Sequence, residues 1–185
     1  MYPLRQLLSN DLARQYSLEG KLHRHPGCFR ILCRLLHPRF LPIVLYRASR
    51  ASKLARIPLL PHVFGYLNLM LFGMDVTATC EIGPGIFFPH TSGIVIGASS
   101  IGSNVTLYQG VTLGAKQLDM HFDPSTRPTI GNNVTLGSGA KILGGITIGD
   151  NVKVGANSVV VHSIGPNRTV IGIPAREVIA SGKPS

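Results

Sequence analysis

Acidic residues, tryptophan and cysteine are scarce in this 185-residue chain, and each shortage is informative. Asp and Glu number 8 against 18 Lys and Arg, and Trp is absent. Only 14% of the residues are charged and 44% are hydrophobic, which excludes a disordered chain. The three cysteines, Cys28, Cys33 and Cys80, match neither a CxxC pair nor a zinc-ligand spacing. They therefore predict free thiols, no metal site and a cytoplasmic protein.

Positive charge is concentrated in the N-terminal part of the chain. Residues 1–74 contain eleven Lys and Arg against two acids, whereas residues 75–185 contain seven against six. Such a region can meet an anionic membrane surface or another polyanion, or it can be a solvated helix face. The most apolar stretch, residues 57–72, contains two prolines and is too short for a membrane span. We expect at most peripheral proximity to a membrane, and no nucleic-acid partner.

The character of the chain changes near residue 73. Before it, leucines recur at helical spacing and prolines divide the region into short pieces. After it, aliphatic residues occupy every sixth position, most clearly Ile130, Leu136, Ile142, Ile148, Val154 and Val160. Neither a helix nor a simple strand has a period of six, so the pattern indicates short strands joined by corners in a stacked, three-sided prism. We expect a helical cap over 1–74, coils over 75–176 and a tail over 177–185.

Two interruptions of the repeat point to functional segments. Between Phe88 and Ile96 the spacing is eight, and this stretch contains His90. Between Leu113 and Ile130 the spacing is seventeen, eleven more than one repeat. Segment 114–129 is therefore expected to leave the prism as a loop, and loops on rigid scaffolds often carry function.

Five segments resemble the hexapeptide-repeat acyltransferases, and within that family the serine O-acetyltransferases. They are EIGPGI at 81–86, FPHTSGIVIG at 88–97, YQGVTLG at 108–114, GAKILG at 139–144 and GIPAR at 172–176. The resemblance implies a mainly β fold, namely a left-handed parallel β-helix with a short N-terminal α-helical cap and an ejected loop. It also implies a homotrimer with active sites between neighbouring prisms. Ile146 and Val152 are expected to add outward contacts in that trimer.

The same resemblance assigns the chemistry. It implies an acetyl-CoA-dependent O-acyltransferase in which His90 is the general base and Asp75 holds its ring. A hydroxyl has a very high pKa, so a base must take its proton during attack on a thioester, and His suits this task near neutral pH. By position in the family, the contacts to acetyl-CoA fall on Gly114, Ala115, Ser138, Gly139, Lys153, Ala156 and Arg176.

The residues expected to meet the acceptor depart from the serine enzymes. Pro89 replaces an Asp before the catalytic His, and Thr126 and Arg127 replace an Arg-His pair at the end of the loop. Arg127 can still bind an anion, and His121 in the loop can reach a substrate. These departures, with the basic cap, favour a sugar hydroxyl of a cell-surface polysaccharide or its precursor. The alternatives are a serine O-acetyltransferase of cysteine biosynthesis and a non-catalytic scaffold or regulatory homologue.

Overall fold

The chain divides into a helical part followed by a stack of very short strands. The computed structural model describes residues 2–21, 26–119 and 121–178. Its helices are α1 (Leu4–Leu18), α2 (Cys28–Arg34), α3 (Leu41–Leu54) and α4 (Leu60–Phe72), and a 3₁₀ turn spans Pro124–Thr126. Its strands are β1 (Met74–Val76), β2 (Glu81–Ile82), β3 (Ile94–Ile96), β4 (Ser100–Ile101), β5 (Thr106–Leu107), β6 (Thr112–Gly114), β7 (Thr129–Ile130), β8 (Thr135–Leu136), β9 (Lys141–Leu143), β10 (Thr147–Ile148), β11 (Lys153–Val154), β12 (Val159–Val160), β13 (Thr169–Gly172) and β14 (Ala175–Glu177).

The strands form three parallel sheets that the chain visits in rotation. The first sheet has the order β1-β3-β6-β9-β12, the second β2-β4-β7-β10 and the third β5-β8-β11-β13-β14. All pairings are parallel except that of β13 with β14, which closes the C-terminal end. Successive short strands on different sheets, each paired with the next coil, are the architecture of a parallel β-helix.

The register explains the six-residue repeat. Ile130 pairs with Ile148 and Leu136 with Val154, eighteen positions apart, so one coil contains three repeats. Leu113 pairs with Ile142, twenty-nine positions apart, because the loop adds eleven residues to that coil. All six aliphatic residues of the repeat from Ile130 to Val160 are buried in the prism, as the pattern predicts.

The expectation that Ile146 and Val152 face outward is wrong. Both side chains are buried and belong to the hydrophobic core. Each lies four positions after a residue of the main repeat, at the corner before the next strand. At that place a side chain fills the angle of the prism, so the second aliphatic position of each repeat contributes to the interior.

The helical cap covers the open end of the first coil. Tyr46 donates its hydroxyl proton to the carbonyl of Cys80, 2.7 Å away, and Arg50 donates to the carbonyls of Ala78 and Thr79 at 3.1 and 3.0 Å. A terminal coil lacks a neighbour on one side, and its unpaired backbone groups need other partners. The helices supply those partners and so end the stack. No helix of the described ranges is long and apolar enough to cross a membrane.

Candidate active site

Asp75 lies on the outer face of the first sheet, at the cap end. It is the middle residue of β1, where Met74 and Val76 point into the prism and Asp75 points out. Its neighbour in β3 is Val95. Alternation along a strand fixes this direction, because Met74 and Val76 cannot leave the core without exposing apolar surface. The carboxylate is therefore held on the exterior of a rigid strand.

His90 lies in the corner that leads into the first sheet. The corner ends at Gly93, whose φ of 72° is a conformation that favours glycine. The Gly93 amide donates to the carbonyl of Gly73 at 2.9 Å, directly before β1. This bond brings the segment with His90 beside the strand with Asp75, at one edge of the sheet. Within the described residues, neither His90 nor Asp75 makes a side-chain hydrogen bond, and the His90 ring is exposed.

The predicted CoA contacts Ser138, Gly139 and Ala156 lie in the same column of corners as His90. The column is built by backbone bonds between coils. Gly110 donates to the carbonyl of Ser92, and Gly139 donates to that of Gln109. Asn157 then donates to the carbonyl of Ser138, which places Ala156 at the next level. The small side chains leave the backbone of this edge open along several coils, which suits an extended ligand.

The other predicted CoA contacts fall into two groups. Lys153 lies on the outer face of β11 and Arg176 on β14, both in the third sheet, which leads into the His90 column. Both side chains are exposed. Gly114 and Ala115 lie at the opposite edge of the first sheet, where the loop departs, and Gly144 donates to the carbonyl of Gly114 at 2.8 Å. Within a single chain, Gly114 and Ala115 therefore lie apart from the other predicted CoA contacts.

The loop after Gly114 is held by a cluster around Asp119. Arg127 donates from Nε to the Asp119 carboxylate at 3.0 Å and from Nη1 to the carbonyl of Gly97 at 3.0 Å, and its guanidinium lies 4.2 Å from the centre of the Phe122 ring. The amides of His121 and Asp123 also donate to Asp119, at 3.0 and 2.8 Å. Desolvation alone would raise the pKa of Asp119, but these hydrogen bonds outweigh it and lower the pKa.

The two loop residues expected to bind substrate differ in whether their side chains are free to do so in the single chain. Arg127 is engaged with Asp119, whereas His121 is exposed on the loop. Pro89 is partly buried beside His90, at the other edge of the first sheet. The structure therefore does not join the loop residues to the His90 corner within one chain.

The Asp119 cluster gives a prediction about loop order. Asp119→Asn keeps the shape of the side chain but removes the charge that Arg127 and two amides recognise. We expect trypsin to cleave the native protein after Lys116 several-fold faster in this variant, because cleavage requires local opening of the loop. Asp150→Asn is the control, since Asp150 binds Asn132 on the coils and lies outside the loop. An unchanged cleavage rate in Asp119→Asn would contradict the role given to the cluster.

A groove of about 860 Å³ lies on the cap side of Asp75. It runs between α4 and the first coil, and its lining is mainly apolar with Asp75 at the wall; other lining residues include Lys53, His62, Tyr66, Leu69 and Thr77. This volume lies within the range of small-molecule sites. The groove therefore offers space for an acceptor next to one of the two predicted catalytic residues.

Gln109 is a candidate site residue that was not predicted from the sequence. It occupies the corner column between Ser92 and Ser138, and its Oε1 is buried without a hydrogen-bond partner in the described structure. Buried polar atoms are usually paired, so an unpaired acceptor in the column suggests a donor on a ligand. The signal in the sequence was the segment YQGVTLG, where Gln109 stands at a corner position.

The structure gives Cys80 no features of a nucleophile. Its side chain is fully buried, and burial raises the pKa of the thiol to about 12. A thiol with that pKa is almost entirely protonated near neutral pH. Among the described residues, no cluster of three or more His, Cys, Asp or Glu side chains is placed to hold a metal ion.

Comparisons with known proteins bear on both fold and family. The family model described as bacterial transferase hexapeptide (six repeats) matches residues 127–162. A serine acetyltransferase of Helicobacter pylori is 36% identical over 167 residues, covering 88% of this chain and 95% of that protein. The chain belongs to the serine acetyltransferase family. A Synechococcus elongatus serine acetyltransferase is 39% identical over 149 residues, and the match covers 80% of this chain but only 60% of that longer relative.

Solved serine acetyltransferases have the same architecture. The Neisseria gonorrhoeae enzyme in complex with serine superposes with a TM-score of 0.78 at 30% identity, covering 95% of this chain and 69% of that one. A serine acetyltransferase in complex with CoA gives the same score, identity and coverage. The predicted left-handed parallel β-helix with a helical cap is confirmed. The predicted enzyme class, acyl-CoA-dependent O-acyltransferase, is confirmed at the level of the family.

Proposed function

We propose that this chain transfers the acetyl group of acetyl-CoA to the hydroxyl of L-serine. The observation that carries the proposal is the match to the Helicobacter pylori serine acetyltransferase over 95% of that protein's length. A related structure contains serine and another contains CoA. The sugar acceptor favoured by the sequence has no support from the relatives, and the alternative of a serine acetyltransferase fits them better. A cytoplasmic location stays a prediction.

His90 acts as the general base in this proposal. Its ring takes the hydroxyl proton as the oxygen attacks the thioester carbonyl and forms a tetrahedral oxyanion. The oxyanion then collapses with cleavage of the C–S bond, and the imidazolium gives its proton to the sulfur, so that CoA leaves as a thiol. Asp75, on the strand beside the His90 corner, makes no hydrogen bond to His90 in the free chain; in the catalytic complex it would accept one from the other ring nitrogen and so fix the tautomer and stabilise the imidazolium. Backbone N–H groups stabilise the oxyanion. The proposed transfer is direct, and the buried Cys80 thiol, whose pKa burial raises to about 12, takes no part in it.

Acetyl-CoA is proposed to lie along the column of corners. Ser138, Gly139 and Ala156 allow the pantetheine to approach the backbone, and Gln109 Oε1 can accept a hydrogen bond from a pantetheine amide. The exposed cations of Lys153 and Arg176 stand on the adjoining sheet, where they can meet the phosphates.

The site is proposed to form between copies of the chain in a homotrimer. His90 lies at one edge of the first sheet, whereas Gly114, Ala115 and the loop with His121 lie at the other. A second prism placed against this sheet would bring its loop to the His90 edge. The outer side of α4 supports such a contact, because most of its exposed residues are apolar and residues 60–72 carry no Lys, Arg, Asp or Glu. In that assembly Arg127 would act by holding the loop.

A sugar hydroxyl is the second candidate acceptor, and two observations favour it. The groove beside Asp75 has a volume of about 860 Å³, far more than L-serine fills. Pro89 also offers no carboxylate for the ammonium group of serine. A zwitterionic amino acid needs such a partner, whereas a sugar does not. A neighbouring copy of the chain can supply a carboxylate for the ammonium group. The acceptor assay distinguishes L-serine from a sugar.

The test is a thiol-release assay with purified protein, acetyl-CoA and parallel acceptors. We expect L-serine to stimulate CoA release at least about 100-fold over the rate without acceptor, because a positioned hydroxyl reacts far faster than water. Homoserine and a set of glycans are the comparisons. Release with glycans alone would reject L-serine and establish the second candidate. No release with any acceptor, in protein that binds CoA by calorimetry, would contradict both.

A further inference from the structure

The turn between α3 and α4 forms an exposed, mixed apolar and basic tip. Leu54, Ile57 and Leu59 are 48%, 46% and 75% exposed, and Lys53 and Arg56 are exposed among them. We call these five residues the cap tip. Arg56 and Leu59 have φ values of 56° and 65°, which is unusual for residues with a side chain. Three large apolar side chains within six positions are thus held in solvent.

The apolar surface continues beyond the turn. Tyr2, Leu4 and Leu54 line a cavity of about 330 Å³ between the start of α1 and the end of α3. Tyr2 and Leu4 are exposed, as is Arg5 next to them in the chain. The patch therefore extends across two helices and adds a third cation to the tip.

Few carboxylates offset this positive charge, and none belongs to the cap tip. The cap has only two acids, and both are paired within it: Asp11 binds Arg47, and Glu19 binds Lys21 and Arg34. Glu81 of the first coil lies nearby, and its carboxylate forms an ion pair with the Arg50 guanidinium, with 3.4 Å between Oε2 and Nη2. Arg5 and Arg56 thus face solvent, whereas Lys53 donates to the Thr79 hydroxyl at the edge of the groove beside Asp75.

We propose that the cap tip docks on an anionic lipid bilayer. Leucine and isoleucine side chains enter the boundary between headgroups and acyl chains, while lysine and arginine meet lipid phosphates. No described helix can span a bilayer, so the contact lies at the surface. A two-fold contact centred on this patch is disfavoured, because it would bring Arg56 of one copy near Arg56 of the other. The uncharged face of α4 lacks this obstacle. The proposal does not depend on the acceptor.

Vesicle co-sedimentation of the full chain tests the proposal. We expect binding to phosphatidylcholine vesicles that contain about 30% phosphatidylglycerol, weak binding to phosphatidylcholine alone, and release by high salt. The triple variant Leu54→Ser, Ile57→Ser, Leu59→Ser should lose affinity by about tenfold or more, since each exposed side chain loses apolar burial in the lipid. Arg56→Glu should weaken binding without touching the apolar residues.

The control is a triple variant that removes as many exposed apolar side chains elsewhere: Leu118→Ser, Ile171→Ser, Ile173→Ser. We expect it to bind vesicles like the wild type. Equal binding of the tip variant and the wild type, or no binding of the wild type to anionic vesicles, would overturn the proposal. A lower oligomeric mass of the tip variant in light scattering would also overturn the proposal, because the patch would then be a contact between copies.

Discussion

Replacing His90 with alanine is expected to lower turnover by about 10² to 10⁴. Loss of the ring removes the group that takes the hydroxyl proton, while water and the remaining site still allow slow transfer. His90 is exposed at the corner before β3 and makes no side-chain hydrogen bond in the described structure. Truncation should therefore leave the fold intact. The measurement is steady-state CoA release with acetyl-CoA and L-serine.

Two controls separate a lost base from a damaged protein. His162→Ala removes an exposed histidine near the end of the coils and should keep the wild-type rate. His90→Ala itself should bind CoA with unchanged affinity by calorimetry, because CoA contacts are assigned to other residues. Asp75→Asn should lower the rate less than His90→Ala does, since it only orients the ring. A wild-type rate in His90→Ala would show that His90 is not the general base.

Breaking the Asp11–Arg47 pair is expected to lower the free energy of unfolding by about 3–5 kcal/mol. Both side chains are almost completely buried, and Arg47 binds Asp11 at 2.9 and 3.1 Å. Asp11 also accepts from the amides of Gly85 and Ile86, and Arg47 donates to the carbonyls of Ile82 and Gly83. Desolvation raises the pKa of Asp11, while Arg47 and the two amides act against it. Removal of one partner leaves the other charge buried without compensation.

Urea unfolding of Arg47→Met, Asp11→Leu and the double variant measures this contribution. The double variant should be less destabilised than the sum of the single ones, because the uncompensated charge disappears with its partner. Arg168→Gln is the matched control, since its pair with Glu177 is half-exposed and should contribute less than about 1 kcal/mol. Loss of only about 1 kcal/mol in Arg47→Met would contradict the view that this pair fastens the cap to the first coil.

The sequence predicted those parts of the structure that depend on a repeated local pattern. Each coil must bury the same positions, so the six-residue period alone identified Ile142, Ile148 and Val154 as core. The extra residues between Leu113 and Ile130 likewise required a loop. The inward direction of Val152 was missed, because the spacing alone does not reveal which second position of a repeat fills a corner of the prism.

Contacts between distant parts of the chain could not be predicted from the sequence. Arg127 was predicted to bind substrate, yet its guanidinium pairs with Asp119 and also donates to the carbonyl of Gly97, 30 positions earlier in the chain. Asp11 and Arg47 are thirty-six positions apart on two helices, and only their packing on the first coil brings them together. The apolar composition of α4 was visible, but its exposure was not, because that depends on what α3 and β1 leave uncovered.

Product stoichiometry tests most directly whether the enzyme transfers acetyl from acetyl-CoA to L-serine with His90 as the base. One reaction is followed by both CoA thiol release and mass-spectrometric quantification of O-acetyl-L-serine. We expect one O-acetyl-L-serine for each CoA released, and loss of both signals together in His90→Ala. CoA release without O-acetyl-L-serine would contradict it, because the acetyl group would then go to water or to another acceptor.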